Sequence, residues 1–155
     1  MSEAAVRAAA LAYLRNHQVM TLATAGVEGV WATAVFYVND GFNLYFLSAG
    51  HTRHGQNMGT RAHIAAAIQE DYRDWGAIQG IQLEGEVVML AGDERATAVA
   101  FYTSKFPFIA QADAAMRAAL AKVNWYCLRP SRLYFIDNSK GLGHRDEVNL
   151  ADQSG

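Results

Sequence analysis

A basic segment at residues 51–63 holds three histidines and two arginines and no acidic residue. It follows a predicted strand and opens a predicted short helix. The first N–H groups of a helix lack an intrahelical partner and carry partial positive charge, and a guanidinium with nearby hydroxyls would add directed donors for an anion. The pattern therefore predicts a phosphate site, with a solvated basic turn as the alternative. Its candidate ligands are Ser48, Thr52, Arg53 and His54.

The same segment also raises the question of a metal site, because His51 and His54 lie three residues apart and His63 follows. No carboxylate lies nearby in the sequence to complete a ligand set, and the single cysteine, Cys127, falls in a predicted strand. Zinc sites combine histidine with cysteine, carboxylate or further histidine ligands. We therefore expect no metal, and we expect Cys127 to be a buried, inert thiol.

A second polar segment, residues 138–147, follows the last predicted strand and contains two glycines, a histidine and an arginine. Polar loops on a rigid scaffold often carry ligand contacts, and a flexible tail is the alternative interpretation. The sequence has no Ser-His-Asp order, P-loop or dinucleotide-binding glycine pattern. No residue stands out as an obligatory acid or base, so the sequence leaves the catalytic residues unknown.

The composition restricts the class of protein. Of the 155 residues, 52% are hydrophobic and 18% are charged, which excludes disorder for the body of the chain. The net charge of −2 argues against a general nucleic-acid or membrane-surface binder, because both need a positive field. No apolar run reaches the roughly 18 residues of a membrane span, and residues 1–16 lack a signal-peptide pattern. We expect a cytoplasmic protein with one domain at 1–148 and a polar tail at 149–155.

Hydrophobic periodicity and turn residues predict four helices and seven strands. The helices are expected at 2–17 with Ser2 as cap, at 51–59, from Asp93 as cap to Lys105, and at 110–120. The strands are expected at 19–24, 30–38, 42–48, 62–69, 77–91, 122–128 and 132–137.

Short turns join most of these strands, which favours antiparallel neighbours. The segments AGVEGV and Asn39-Asp40-Gly41 predict hairpins, and Arg129-Pro130-Ser131 predicts a further turn. Gly85 inside a strand predicts a bulge or a close backbone approach. Six or seven antiparallel strands with little edge protection favour closure into a barrel. The expected fold class is therefore mainly β, with flanking helices.

The order of these segments resembles the pyridoxamine 5′-phosphate oxidase-like family of FMN-binding split barrels. The resemblance covers about residues 19–148 and rests on the segments VWATAVFYV, NDG, LYFLS, HTRHGQNM, IQLEGEV and RLYFIDNSKGLGHRDEV, in that order. The chain is more similar to the small, general members than to the vitamin-B6 oxidases. The resemblance implies a six-stranded antiparallel split barrel, and a homodimer that binds two FMN molecules at its interface.

The resemblance also implies cofactor contacts. The family's phosphate-binding Ser-Arg-Lys run is matched by Thr52-Arg53-His54, so Thr52 and Arg53 carry over and His54 stands in the lysine position. The strand expected along the flavin ring holds Ala32, Thr33, Ala34, Val35 and Phe36. Leu47 and Ser48 match positions that reach the ribityl-phosphate, and Gln82 matches a region that approaches the cofactor from the partner chain.

Two departures from the vitamin-B6 oxidases bear on the substrate. Those enzymes have a lysine near the end of the ring strand that helps to hold the substrate phosphate, whereas Phe36 and Tyr37 stand here. Their C-terminal loop carries an arginine and a histidine that hold substrate, and His144 and Arg145 are the candidates for this role. Oxidation of pyridoxamine phosphate itself is therefore not expected.

The predicted function is that of an FMN-dependent oxidoreductase acting on an unidentified small molecule. The alternatives are a non-catalytic protein of the same fold that binds flavin, deazaflavin or haem, and an interaction module with an empty site. One of the histidines at 51, 54, 63 and 144 could be an axial ligand of haem. The phosphate-type cluster at 52–54 favours FMN.

Overall fold

Eight strands form one antiparallel sheet in this computed structural model, which describes residues 1–151. In chain order, β1–β8 are Val19–Gly26, Gly29–Phe36, Val38–Asp40, Asn43–Ser48, His63–Gln69, Gln79–Met89, Asn124–Asp137 and Arg145–Glu147. Two of them, β3 and β8, have only three residues each. The six longer strands are those of the predicted six-stranded barrel.

The two strands at the ends of the sheet, β2 and β3, are neighbours in the sequence, so the sheet curls back on itself. Its order is β2-β1-β5-β6-β7-β4-β3, and β8 adds to β7. Only Tyr37 separates β2 from β3, so the two ends of the sheet meet at this buried residue. Within residues 1–151 no ladder joins β2 to β3. The architecture is therefore a split barrel, as predicted, and β2 keeps one edge free.

Four helices flank the sheet: α1 at Glu3–Asn16, α2 at Arg53–Thr60, α3 at Gly92–Lys105 and α4 at Ala114–Ala121. Short 3₁₀ turns lie at Trp75–Ala77, Pro107–Gln111 and Asn138–Lys140. The hydroxyl of Ser2 caps α1 by accepting a hydrogen bond from the N–H of Ala5, as predicted. Across residues 1–151, none of the helices has the length and apolar content to cross a membrane.

Two apolar clusters form the core. The larger one fills the barrel and takes in the buried face of α1, with Leu14, Met20, Leu22, Phe46 and Leu128 among its members. The smaller one lies between the sheet and α3, and its buried residues are Val38, Leu90, Ala98, Tyr102, Phe106, Trp125 and Cys127. Strand β4 separates the clusters, so its alternate side chains face one or the other.

The predicted turn at Arg129-Pro130-Ser131 is wrong, because these residues lie inside one continuous strand, β7. The turn signal of proline is overridden by pairing with β6, whose register shifts between Glu84 and Gly85. This bulge is the one predicted at Gly85. A Cβ atom there would lie 2.1 Å from the carbonyl oxygen of Arg129, so the close approach of the two backbones requires glycine.

Several predicted boundaries also change. Asp93 does not cap α3: the helix begins at Gly92, whose φ of +58° brings the chain into the helix, and Asp93 lies in the first turn. The fourth helix begins only at Ala114, where the carboxylate of Asp113 accepts from the N–H of Met116. The predicted strand at 30–38 is interrupted at Tyr37, where the backbone N–H donates to the carbonyl of Gln18.

The polar segment predicted at 149–155 is described only to residue 151. Its first residue contacts α1 twice: the carbonyl of Asn149 accepts from Arg7 Nη1 at 2.6 Å, and its amide donates to Glu3 at 2.5 Å. Leu150 packs against the larger core cluster. Residues 152–155 lie outside the described residues.

Candidate functional site

The start of α2 is fixed by Thr52. This residue has extended backbone angles, and its Oγ1 accepts a hydrogen bond from the N–H of Gly55 at 3.1 Å. The same hydroxyl donates to the carbonyl of Ala49 at 2.8 Å, which ties the helix to the end of β4. The N–H groups of Arg53 and His54 stand at the open end of the helix, where intrahelical carbonyls are lacking. Thr52 is therefore the cap of α2, and both of these hydrogen bonds engage its hydroxyl.

Ser48 and His54 are brought together beside this cap. Ser48 is buried, and its Oγ lies 2.5 Å from Nε2 of His54. Burial lowers the pKa of His54 below its usual value, so its imidazole is neutral at neutral pH. The hydroxyl of Ser48 can then donate to Nε2. His54 therefore does not replace the charge of the family's lysine at neutral pH, and Arg53 is the cation of this cluster.

The side chain of Arg53 lies between α2 and the β1–β2 hairpin. Its guanidinium carbon is 4.4 Å from the ring centroid of Trp31, and Nη2 donates to the carbonyl of Glu28 at 3.1 Å. The carboxylate of Glu28 comes within 3.9 Å of Nε, too far for a hydrogen bond. Among residues 1–151, Nε of Arg53 is the buried side-chain nitrogen or oxygen without a hydrogen-bond partner.

A cavity of about 410 Å³ opens beside Arg53. It is lined by Val27, Glu28, His51, Arg53, Gln56, Asn57 and Thr60. One wall is rigid because the buried amide of Asn57 donates to Thr24 Oγ1 at 3.1 Å. A Cβ at Gly26 would lie 2.0 Å from Asn57 Oδ1, so the glycine leaves the space that the Asn57 amide occupies. No acidic residue lies close to Arg53 in the sequence, but the fold brings Glu28 near it.

The predicted ring strand is β2, at the edge of the sheet. Its only ladder in residues 1–151 is to β1, so its outer edge leaves backbone N–H and C=O groups free. Ala32, Ala34 and Phe36 alternate with Thr33 and Val35, and all five are exposed or half-buried. Leu47 lies elsewhere: it packs against the smaller core cluster, on the opposite face of β4 from Ser48.

Gln82 and Arg145 form a second group on the outer face of the sheet. Arg145 Nη1 lies 3.5 Å from Gln82 Oε1, and its guanidinium carbon is 4.2 Å from the ring centroid of Tyr134. His144, the other predicted substrate contact, pairs with Asp146 at 2.9 Å. The two sequence segments that carry Gln82 and Arg145 are therefore adjacent in the fold.

This second group is separated from the ring strand within one chain. Pairing across the sheet sets Ala34 opposite Thr21, Thr21 opposite Ala67, and Ala67 opposite Gln82. Three strand spacings amount to about 14 Å along the sheet. A single chain thus has two candidate contact regions: one at Arg53 and β2, and one at Gln82 and Arg145.

Lys105 is a residue near the ring strand that sequence reasoning missed. It belongs to the last turn of α3, and its Nζ lies 4.4 Å from the ring centroid of Tyr37 and donates to the carbonyl of His17. Burial lowers its pKa to about 8. The neighbouring Phe106 packs edge-on against Phe36 at 5.5 Å. Local sequence gives no signal for this contact, because Lys105 and His17 are 88 positions apart.

Comparison with known proteins agrees with the fold. Residues 6–137 match the family model described as pyridoxamine 5′-phosphate oxidase. A UPF0306 protein from Klebsiella pneumoniae is 32% identical over 135 residues, which are 86% of each chain. A heme binding protein from Mycobacterium smegmatis superposes with a TM-score of 0.72 at 26% identity, over 96% of this chain and 58% of that one. This chain therefore spans little more than half of that protein.

A FAD-binding protein from Mesorhizobium loti has the same fold, with a TM-score of 0.62 at 15% identity over 86% of this chain and 92% of that one. Related barrels therefore include proteins named for a flavin and for haem. The family match covers most of the chain and the Klebsiella relative is aligned over nearly its whole length. The chain therefore belongs to the pyridoxamine 5′-phosphate oxidase family, among the relatives of the UPF0306 proteins.

Proposed function

We propose that the protein is a homodimeric flavoprotein that binds FMN and uses it to oxidise or reduce a small molecule. The single observation that carries this proposal is the buried Nε of Arg53, which lacks a hydrogen-bond partner while the rest of the guanidinium is held in place. Leaving a buried donor unsatisfied is costly. A bound phosphate offers acceptor oxygens that would satisfy this nitrogen.

The donor set around Arg53 fits a phosphate group. Arg53 supplies a fixed positive charge, and the open end of α2 supplies backbone N–H groups and the positive end of the helix dipole. Thr52 holds this helix end in place. His54 is neutral and engaged with Ser48, so its role in the proposal is to position the loop rather than to add charge.

The free edge of β2 supports the position proposed for the flavin ring. Its backbone N–H and C=O groups can meet the polar edge of a ring, and the side chains of Ala32 and Ala34 are small enough to leave room beside the strand. When bound, FMN supplies the hydride and electron chemistry, while the protein orients it and controls its surroundings. Trp31 belongs to this strand and contacts Arg53, so it links the proposed position of the ring to the proposed position of the phosphate.

Exposed apolar side chains on and around β2 support the proposed dimer. Val30 is 83% exposed, Phe36 50% and Trp31 44%. Exposed apolar groups gathered along one edge are typical of interaction sites. Within one chain Gln82 lies about 14 Å along the sheet from Ala34, so in this proposal the Gln82 and Arg145 that approach a flavin on β2 are those of the second copy. His144 and Arg145 remain the proposed substrate contacts.

The experiment that tests the proposal is the visible absorption spectrum of freshly purified protein, with mass spectrometry of whatever a denaturant releases. We expect a flavin spectrum and release of about one FMN per chain. A haem-type band would contradict the flavin assignment and favour the haem-binding alternative. The first candidate axial ligand to substitute would then be His51, which lines the cavity beside Arg53. Colourless protein that does not bind added FMN would contradict the proposal.

A further inference from the structure

We infer that Glu28 competes with bound phosphate for Arg53, and that this competition lowers the affinity of the site for phosphate. The inference rests on the proposed function, because it concerns the same site. It adds a role for a residue that neither the sequence pattern nor the family resemblance pointed to.

The first observation is the incomplete contact between the two side chains. Glu28 Oε2 lies 3.9 Å from Arg53 Nε, which is close enough for an ion pair but not for a hydrogen bond. Nε is buried and has no hydrogen-bond partner within residues 1–151. Glu28 therefore lies within ion-pair distance of Arg53 without satisfying its buried donor, so the pair leaves a place for a better acceptor.

The second observation is that Arg53 is held while Glu28 is free to move. The Trp31 ring lies against one face of the guanidinium, and the Glu28 carbonyl accepts from Nη2 at 3.1 Å. Asn57 anchors α2 to β1 through its hydrogen bond to Thr24. By contrast, the Glu28 side chain is 79% exposed at the tip of the hairpin. It can swing into water while its backbone stays in place.

The third observation is the position of the carboxylate at the cavity beside Arg53. Glu28 is the acidic residue among those that line it, and the other polar lining residues are His51, Arg53, Gln56, Asn57 and Thr60. An anion that enters this cavity meets Arg53 and Glu28 together, because both line it. The carboxylate is therefore positioned to repel or to be displaced by an incoming anion.

The exchange is feasible because of the charges and hydrogen bonds involved. Any oxyanion that displaces Glu28 must move the same carboxylate aside, and it gains the hydrogen bond to Nε that Glu28 does not make. A phosphate monoester carries about −1.5 to −2 charges at pH 7 and offers three acceptor oxygens, so it gains both charge and the hydrogen bond to Nε. Exposed ion pairs are weak, so the phosphate can displace Glu28 at a modest loss of affinity.

The test compares Glu28→Gln with the wild-type chain in titrations with FMN and with riboflavin, which lacks the phosphate. Binding is followed by the quenching of flavin fluorescence. The matched control is Asp93→Asn, which removes one exposed carboxylate at the start of α3. We expect Glu28→Gln to bind FMN about two- to fivefold more tightly, in line with the small strength of exposed ion pairs. Riboflavin binding and the control should not change.

When Arg53→Ala is also present, Glu28→Gln should no longer tighten FMN binding, because Glu28 then has no cation to pair with. Equal FMN affinity in Glu28→Gln and wild type would overturn the inference and leave the proposed function intact. Equal tightening of FMN and riboflavin would overturn it as well, because the phosphate would then play no part.

A second readout separates the inference from the proposed function. The NMR signal of the Arg53 Nε–H group can be followed while inorganic phosphate is added to wild type and to Glu28→Gln. We expect phosphate to move this signal at lower concentration in the variant. This result would uphold the competition even if FMN failed to bind, and identical titration curves would overturn it.

Discussion

The guanidinium carbon of Arg53 lies 4.4 Å from the ring centroid of Trp31, and this contact joins the start of α2 to the edge strand β2. A cation over an indole face is attracted by the negative charge of the π-system. Two candidate regions that are separated in the sequence, the anion site and the ring strand, are therefore adjacent in the fold. The position of Arg53 is set by β2 as much as by its own helix.

We expect Arg53→Ala to weaken FMN binding by about 1.5–3 kcal/mol, the range for a charge-assisted hydrogen bond. The substitution removes the one cation of the Thr52-Arg53-His54 run, since His54 is neutral near pH 7. The change in affinity is measured by fluorescence titration at a fixed salt concentration. Arg61→Ala is the control, because Arg61 is an exposed arginine at the other end of the same helix. Equal affinities for the two variants would mean that the phosphate lies elsewhere.

We expect Gly85→Ala to lower the free energy of unfolding by about 1–3 kcal/mol, the cost of forcing extra volume into a packed site. The added methyl would meet the carbonyl oxygen of Arg129 at 2.1 Å, so the two long strands would have to separate at the bulge. Urea denaturation measures the change. The matched control is Gly59→Ala, a helical glycine with open space around it, which should be neutral or stabilising by up to about 1 kcal/mol. Similar losses in both variants would argue against the close approach at Gly85.

Much of the barrel could be predicted because its strands carry local signals. Alternating apolar residues and glycine turns are short-range patterns, and Gly85 was identified as a bulge from its place inside such a pattern. The prediction of a turn at Pro130 was wrong because the local preference of proline for a turn is weaker than the pairing of β7 with the eleven residues of β6.

The candidate site was less predictable, because its main contacts join distant segments. The short helix after β4 is a local feature and was predicted, at 51–59, but the sequence analysis did not identify Thr52 as its cap. Glu28 and Arg53 are 25 positions apart, and their meeting depends on how α2 docks on the β1–β2 hairpin. Likewise, the sequence placed a histidine at 54 but could not show that burial leaves it neutral.

We expect Lys105 to contribute to the free energy of unfolding a part that rises with pH between about 8 and 9.5. Burial lowers the pKa of Lys105 to about 8, whereas an unfolded lysine titrates near 10.5. In this interval the unfolded chain holds a proton that the folded chain has released, so raising the pH favours the folded state. Burial raises the pKa of Cys127 and of several tyrosines, so these groups act in the opposite direction, and the contribution of Lys105 is the difference between the slopes of the wild type and of a Lys105 variant.

The measurement is urea denaturation at pH 7.5, 8.5 and 9.5 for Lys105→Met and wild type. The slope of the free energy of unfolding against pH should be less positive in Lys105→Met than in wild type, whatever the overall stability of the variant. Lys122→Met, which removes an exposed lysine, should keep the wild-type slope. Parallel slopes for Lys105→Met and wild type would show that Lys105 is not desolvated in the folded protein.

We expect Ala34→Glu to convert a dimer into a monomer and to abolish FMN binding at the same time. Ala34 is exposed on β2, beside the apolar side chains proposed to meet a second copy, and a buried unpaired carboxylate in such an interface is strongly unfavourable. Size-exclusion chromatography with light scattering at micromolar concentration measures the mass. The matched control is Ala96→Glu, which adds the same charge to an exposed position of α3 and should leave both properties unchanged. A wild-type chain that is monomeric under these conditions would contradict a cofactor held between two copies. A dimer that survives Ala34→Glu would place the interface on another face of the barrel.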